Sequence, residues 1–91
     1  MHLEIVTPEQ VLFSGEVDKV SVPGINGEFQ MLNNHAPVVS VLKKGGIKLA
    51  GNVELSEKAK ALFNEENGKK VFPIDGGVVE LSNNKVIVLV D

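Results

Sequence analysis

The sequence predicts a mainly β protein: one domain over residues 1–91, an antiparallel β-sandwich of about eight to ten strands with one short inserted helix. Three observations predict it. Ninety-one residues suffice for one hydrophobic core and are too few for two. The apolar residues come in short runs separated by Gly, Pro and Asn, the pattern of strands joined by tight turns. The hydrophobic fraction is 43%, yet its aromatic part is four Phe with no Trp or Tyr, so Val, Leu and Ile must build the core, and Val favours strands.

From the N-terminus, Leu3 and Ile5 alternate with His2 and Glu4, a half-buried strand. Val11-Leu12-Phe13 runs to Ser14-Gly15, and Val20-Ser21-Val22 runs to Pro23-Gly24, where a turn is expected. Glu28 to Met31 alternates again, and Val38 to Leu42 follows Asn33-Asn34-His35-Ala36-Pro37. Lys44-Gly45-Gly46 is expected to reverse the chain into Ile47-Lys48-Leu49. Ser56 to Asn67 breaks the pattern. Ala59, Leu62 and Phe63 repeat at helical spacing, Ser56 can cap the start and Gly68 can stop the end, so a short amphipathic helix is expected there, with Glu57, Lys58, Lys60, Glu65 and Glu66 in water. Strands resume with Val71 to Ile74, with expected turns at Asp75-Gly76-Gly77 and Ser82-Asn83-Asn84. The closing run Val86 to Val90 is apolar at every position, so both of its faces need cover.

Composition narrows the function classes. The net charge is −3 and all nine basic residues are Lys, so the chain lacks both the basic face and the Arg fork that nucleic-acid recognition uses. Cysteine is absent, which removes disulfides, a thiolate nucleophile and sulfur-ligated metals. The opening residues lack the basic start and apolar run of a signal peptide, and no stretch reaches the roughly 20 apolar residues of a membrane-spanning helix, so membrane association is expected to be indirect.

The two imidazoles, His2 and His35, are too few for a metal site without carboxylates gathered from elsewhere. No Ser sits in a nucleophile elbow, and Gly24-Ile25-Asn26-Gly27 and Gly45-Gly46 lack the following helix that a phosphate loop needs. The composition therefore points to a binding protein with no catalytic site and no cofactor. A small-molecule or carbohydrate-binding jelly roll is the alternative that the strand pattern permits.

The run from Val22-Pro23-Gly24 through Gly27-Glu28-Phe29-Gln30-Met31 to His35-Ala36-Pro37 resembles the epsilon subunit of F-type ATP synthase. The opening Leu3 to Glu9 with Phe13-Ser14-Gly15, and the end from Asp75-Gly76-Gly77 to Asp91, resemble the same family, so the likeness covers nearly the whole chain apart from the helical insert. The resemblance implies a non-catalytic rotor subunit, joined to the foot of the gamma subunit and resting on the c-ring. It would be peripheral on the cytoplasmic side of the bacterial inner membrane, coupling proton flow to ATP synthesis performed elsewhere.

The resemblance also implies that Gly27-Glu28 lies at the c-ring contact, and the loops Asn26, Gly27, Glu28, Phe29 and Asn33, Asn34, His35 are expected to form the end that meets the ring. Ile87 and Leu89, on the doubly apolar closing strand, are expected to face gamma. Two departures stand out: the family usually has Gly at the position of Gln30 and Pro-Gly at Asn33-Asn34, and most members continue past the position of Asp91 into two helices. Those helices carry the family's inhibition and, in some members, ATP binding, so neither is expected of this chain.

Overall fold

The computed structural model describes residues 1–51 and 53–91. In chain order it contains β1 (His2–Val6), β2 (Val11–Glu16), β3 (Lys19–Gly24), β4 (Gly27–Leu32), β5 (Val38–Ala50), α1 (Glu57–Lys60), β6 (Asn64–Glu66), β7 (Lys69–Ser82) and β8 (Lys85–Val90). The strands form one continuous sheet in the order β2-β1-β8-β7-β5-β3-β4, with β6 on β7. The expected all-antiparallel pairing is corrected at one place: β1 and β8 run parallel, His2 opposite Lys85 and Val6 opposite Leu89. The first and last strands meet only through long-range closure, which no local pattern encodes.

Two long strands turn the sheet into a sandwich. β7 keeps β5 along one edge, while its other edge holds β6 at residues 69–71 and β8 at residues 77–82. Its two halves therefore belong to two layers: β2, β1 and β8 complete one, and β6, β3 and β4 complete the other with the second half of β5. Pro73 falls between the two partners, where an unpaired edge tolerates a residue without an amide hydrogen.

The turns expected at Lys44-Gly45-Gly46 and Asp75-Gly76-Gly77 are instead the bends where these strands pass between layers. Close approach explains the glycines. A Cβ on Gly45 would lie 2.8 Å from Pro23 Cβ, one on Gly46 would lie 2.5 Å from Val71 Cγ1, and one on Gly77 would overlap the Leu89 carbonyl oxygen.

Inward-facing residues alternate along every central strand. Leu3, Ile5, Val86, Val88, Val79 and Leu81 fill the core from one layer; Val20, Val22, Met31, Ile47 and Leu49 fill it from the other. Each such side chain contributes roughly 1.5–3 kcal/mol by leaving water.

The expected helix from Ser56 to Asn67 is corrected to a single turn. Ser56 does cap it, its hydroxyl accepting from the Ala59 amide at 3.1 Å. After Lys60 the chain passes through Phe63 into β6, and Asn67-Gly68, with φ of 52° and 77°, closes a hairpin onto β7. Asn-Gly is the preferred pair for a type I′ hairpin turn, so Gly68 serves that turn and not a helix end. Phe63 is held between the layers, its ring edge-on to Phe13 at 5.6 Å and to Phe72 at 5.3 Å. The segment thus closes the open side of the sandwich beside β2.

Candidate interaction face

The outer face of the layer containing β8 carries an apolar row that crosses five strands. Val41 on β5 lies opposite Val78 on β7, Val78 opposite Leu89 on β8, Leu89 opposite Val6 on β1, and Val6 opposite Val11 on β2. Four of these five, all but Val6, leave between 40% and 60% of their surface exposed. At the usual strand spacing of about 4.8 Å the row is roughly 19 Å long. Ile25, also exposed, extends it, since its amide donates to the Val41 carbonyl at 3.2 Å. An apolar row of this length on a solvated sheet makes this face the candidate interaction surface.

Polarity rises away from that row. The next one reads Val39, Glu80, Ile87, Glu4 and Ser14, and the one after it Ser82, Lys85, His2 and Glu16. The closing strand is therefore covered on one side only. Val86, Val88 and Val90 point into the core, while Leu89 is exposed and Ile87 half-buried on the outside, so the sequence-predicted pair shares this face.

The polar corner holds an arrangement that sequence reading missed. Ser14 Oγ lies 3.2 Å from His2 Nε2, and His2 Nδ1 lies 3.0 Å from Glu16 Oε2. That is the order of a nucleophile, a base and an acid, and only the β1–β2 register, which sets His2 opposite Glu16 and Glu4 opposite Ser14, could have revealed it. Glu4 Oε2 approaches the same Nε2 at 3.3 Å, so two side chains compete for the nitrogen that a general base would need free for Ser14. The cluster, joined by Lys85 at 4.0 Å from Glu4, is a cross-strand polar network. Among the described residues no group of three or more His, Asp or Glu side chains is placed to hold a metal ion.

The loop residues expected at one end of the domain lie at two. Asn26 and Gly27 form the tip between β3 and β4, whereas Asn33, Asn34 and His35 follow the far end of β4, roughly 20 Å away at about 3.3 Å per residue. The second group is engaged within the fold. Asn33 Oδ1 accepts from the Met1 ammonium at 2.5 Å, the Asn34 amide donates to Asn84 Oδ1 at 2.9 Å, and His35 Nδ1 sits 2.7 Å from the Ala36 carbonyl. Phe29 packs against the core. Glu28 is held by Lys48 at 2.9 Å, and this carboxylate, through its hydrogen bond first and its charge second, raises the Lys48 ammonium above its ordinary value of 10.5.

A cleft of 440 Å³ opens beside the bends. It is floored by Leu12, Phe72, Ile74 and Val90 and rimmed by Lys44, Asp75 and Asp91. Its floor is apolar and its polar groups, Thr7, Lys44, Asp75 and Asp91, stand at the rim.

The family model for the β-sandwich domain of the ATP synthase delta/epsilon chain matches residues 1–91. An ATP synthase epsilon chain of Chlorobaculum tepidum is 40% identical over 89 residues, which are 98% of this chain and 86% of that protein. One of Campylobacter fetus is 44% identical over 91 residues, the whole of this chain and 60% of that protein. In fold, the chain matches a component of the central stalk and c-ring structure of the Tetrahymena thermophila mitochondrial ATP synthase, with a TM-score of 0.70 and 18% identity over 98% of this chain and 61% of that one.

Proposed function

The chain belongs to the ATP synthase delta/epsilon family as the β-sandwich of an epsilon chain, a non-catalytic subunit, and from that premise we propose that it joins the gamma subunit to the c-ring within the central stalk. The observation that carries this reading is the apolar row from Val11 to Val41. Gamma docks on that face, with Leu89 at its centre and Ile87 beside it. Burying a half-exposed Val or Leu yields about 1 kcal/mol, so a covered row of five or six supplies the core of a specific interface.

The ring meets the tip of the β3–β4 hairpin. Asn26 is exposed there and Ile25 joins the tip to the gamma face, so one rotor assembly can span both partners. With Glu28 held by Lys48, the polar contact comes from Asn26 and the Gly27 backbone. Asn33, Asn34 and His35 lie at the opposite end of β4 and hydrogen-bond within the chain. In this arrangement the subunit is peripheral on the cytoplasmic side of the bacterial inner membrane and turns with the rotor while protons cross the ring.

Cross-linking tests the orientation, since the chain has no cysteine of its own. In the assembled synthase, Asn26→Cys couples to a cysteine in the polar loop of the ring subunit and Asn34→Cys does not. Coupling from position 34 alone inverts the orientation and overturns the assignment.

A further inference from the structure

Glu80 is the charged residue set inside the apolar part of the docking face. Its cross-strand neighbours are Val39 on β5 and Ile87 on β8, and Val78 shares its face two residues away along β7. Val39, with 73% of its surface exposed, is the most exposed large apolar residue of the chain. A partner that covers Val39, Val78 and Ile87 must cover Glu80 as well.

Glu80 is also unlike the other carboxylate of its row. Glu4 already lies 3.3 Å from His2 and 4.0 Å from Lys85. Glu80 is exposed and has no ion-pair partner among the described residues. Lys85 lines the same hollow as Glu80 but is directed to Glu4 and makes no ion pair with Glu80. Docking would therefore strip water from a carboxylate without a direct partner, which opposes association unless the incoming surface supplies a cation. A purely apolar seam would be better served by Val here, the residue that stands at positions 39, 41 and 78.

We propose that Glu80 is the charge anchor that sets partner specificity on this face, pairing with a Lys or Arg that gamma presents within an apolar surround. This rests on the assignment of the face to gamma. A surface of matching apolar shape without the cation is rejected, because it leaves the carboxylate buried and unpaired. An Arg suits the position best, since its planar fork meets a carboxylate through two parallel hydrogen bonds.

The test measures affinity for the catalytic complex freed of this subunit. Glu80→Val weakens docking roughly 30- to 1,000-fold, mostly through faster dissociation, and Glu80→Gln, which keeps the shape without the charge, weakens it in the same direction. Glu66→Gln on β6, in the other layer, changes nothing. The thermal midpoint of the free chain is unchanged in the Glu80 variants, since the fold makes no use of this carboxylate. Glu80→Lys is rescued by changing one Lys or Arg of gamma to Glu.

Glu80→Val binding as tightly as the unmodified chain, or more tightly, overturns the anchor. If Leu89→Asp abolishes docking in the same assay while Glu80→Val does not, the face stands and the anchor falls. If both are without effect, the gamma assignment fails and the anchor fails with it.

Discussion

Replacing Gly77 by Ala attacks the bend on which the sandwich depends. Gly77 sits in β7 where β8 begins to pair, opposite Val90, with φ at +157°, a backbone state that L side chains rarely adopt. An added Cβ would overlap the Leu89 carbonyl oxygen and stand 3.2 Å from both the Leu89 carbonyl carbon and Val90 Cα. The obstacles are backbone atoms of a central strand, so no rotamer change relieves them. Holding a non-glycine residue in such a conformation costs about 1–3 kcal/mol, and overpacking adds about 1–3 kcal/mol.

The sum, about 2–6 kcal/mol, is a large share of the 5–15 kcal/mol that stabilises a typical domain. Urea titration followed by circular dichroism reads it as a lower midpoint at unchanged slope. Gly68→Ala is the reference: its φ is +77° but a Cβ there meets nothing within 4 Å, so it costs only the backbone term of about 1–2 kcal/mol. Gly77→Ala costing no more than Gly68→Ala would refute the reasoning.

Phe63→Ala removes two edge-on ring contacts and part of the cover over the layers' open side, and lowers stability by about 2–4 kcal/mol in thermal unfolding. At the hairpin between β7 and β8, where Asn83 has φ of 51°, Asn83→Val costs about 1–2 kcal/mol and Asn83→Gly stays within about 0.5 kcal/mol, both read by urea midpoint. Lys48 has a raised pKa in the fold, so its link to Glu28 contributes fully below the unfolded value of 10.5 and is lost as pH rises through the higher folded value. The small gap in urea midpoint between the unmodified chain and Lys48→Met therefore persists at pH 8 and closes above about pH 10.5.

Alternation and turn chemistry made most strands legible: His2 to Val6, Glu28 to Met31 and the Asn83-Asn84 hairpin follow from local pattern. Two kinds of feature did not. Glycines at 45, 46 and 77 read as turns because glycine punctuates sequence in either role, and only the neighbours, Pro23, Val71 and Leu89, show that close packing requires them. The segment from Ser56 to Asn67 read as one short helix because Ala59, Leu62 and Phe63 fall at helical spacing, whereas only Glu57–Lys60 is helical. Asn67-Gly68 held the signal for a hairpin, and β6 with its Glu65–Lys70 pair at 3.5 Å is what that signal meant.

The interaction face was half legible. A closing strand apolar on both sides announced an outer face through Ile87 and Leu89, but Val6, Val11, Val41 and Val78 join it only through register with other strands. The two loops were expected together at one end from the family likeness, yet β4 separates them by its length.

The gamma assignment is tested most directly by titrating Leu89→Asp against the catalytic complex freed of this subunit, beside Lys48→Glu on the opposite layer. Leu89 is exposed, so the variant folds with an unchanged urea midpoint, while docking would bury an unpaired carboxylate at the centre of the row. The account predicts a loss of at least about a hundredfold in affinity for Leu89→Asp, the scale of about 3–5 kcal/mol for an uncompensated buried charge, and little change for Lys48→Glu. Unaltered affinity for Leu89→Asp, with docking abolished by Lys48→Glu, would place gamma on the other layer and contradict the account.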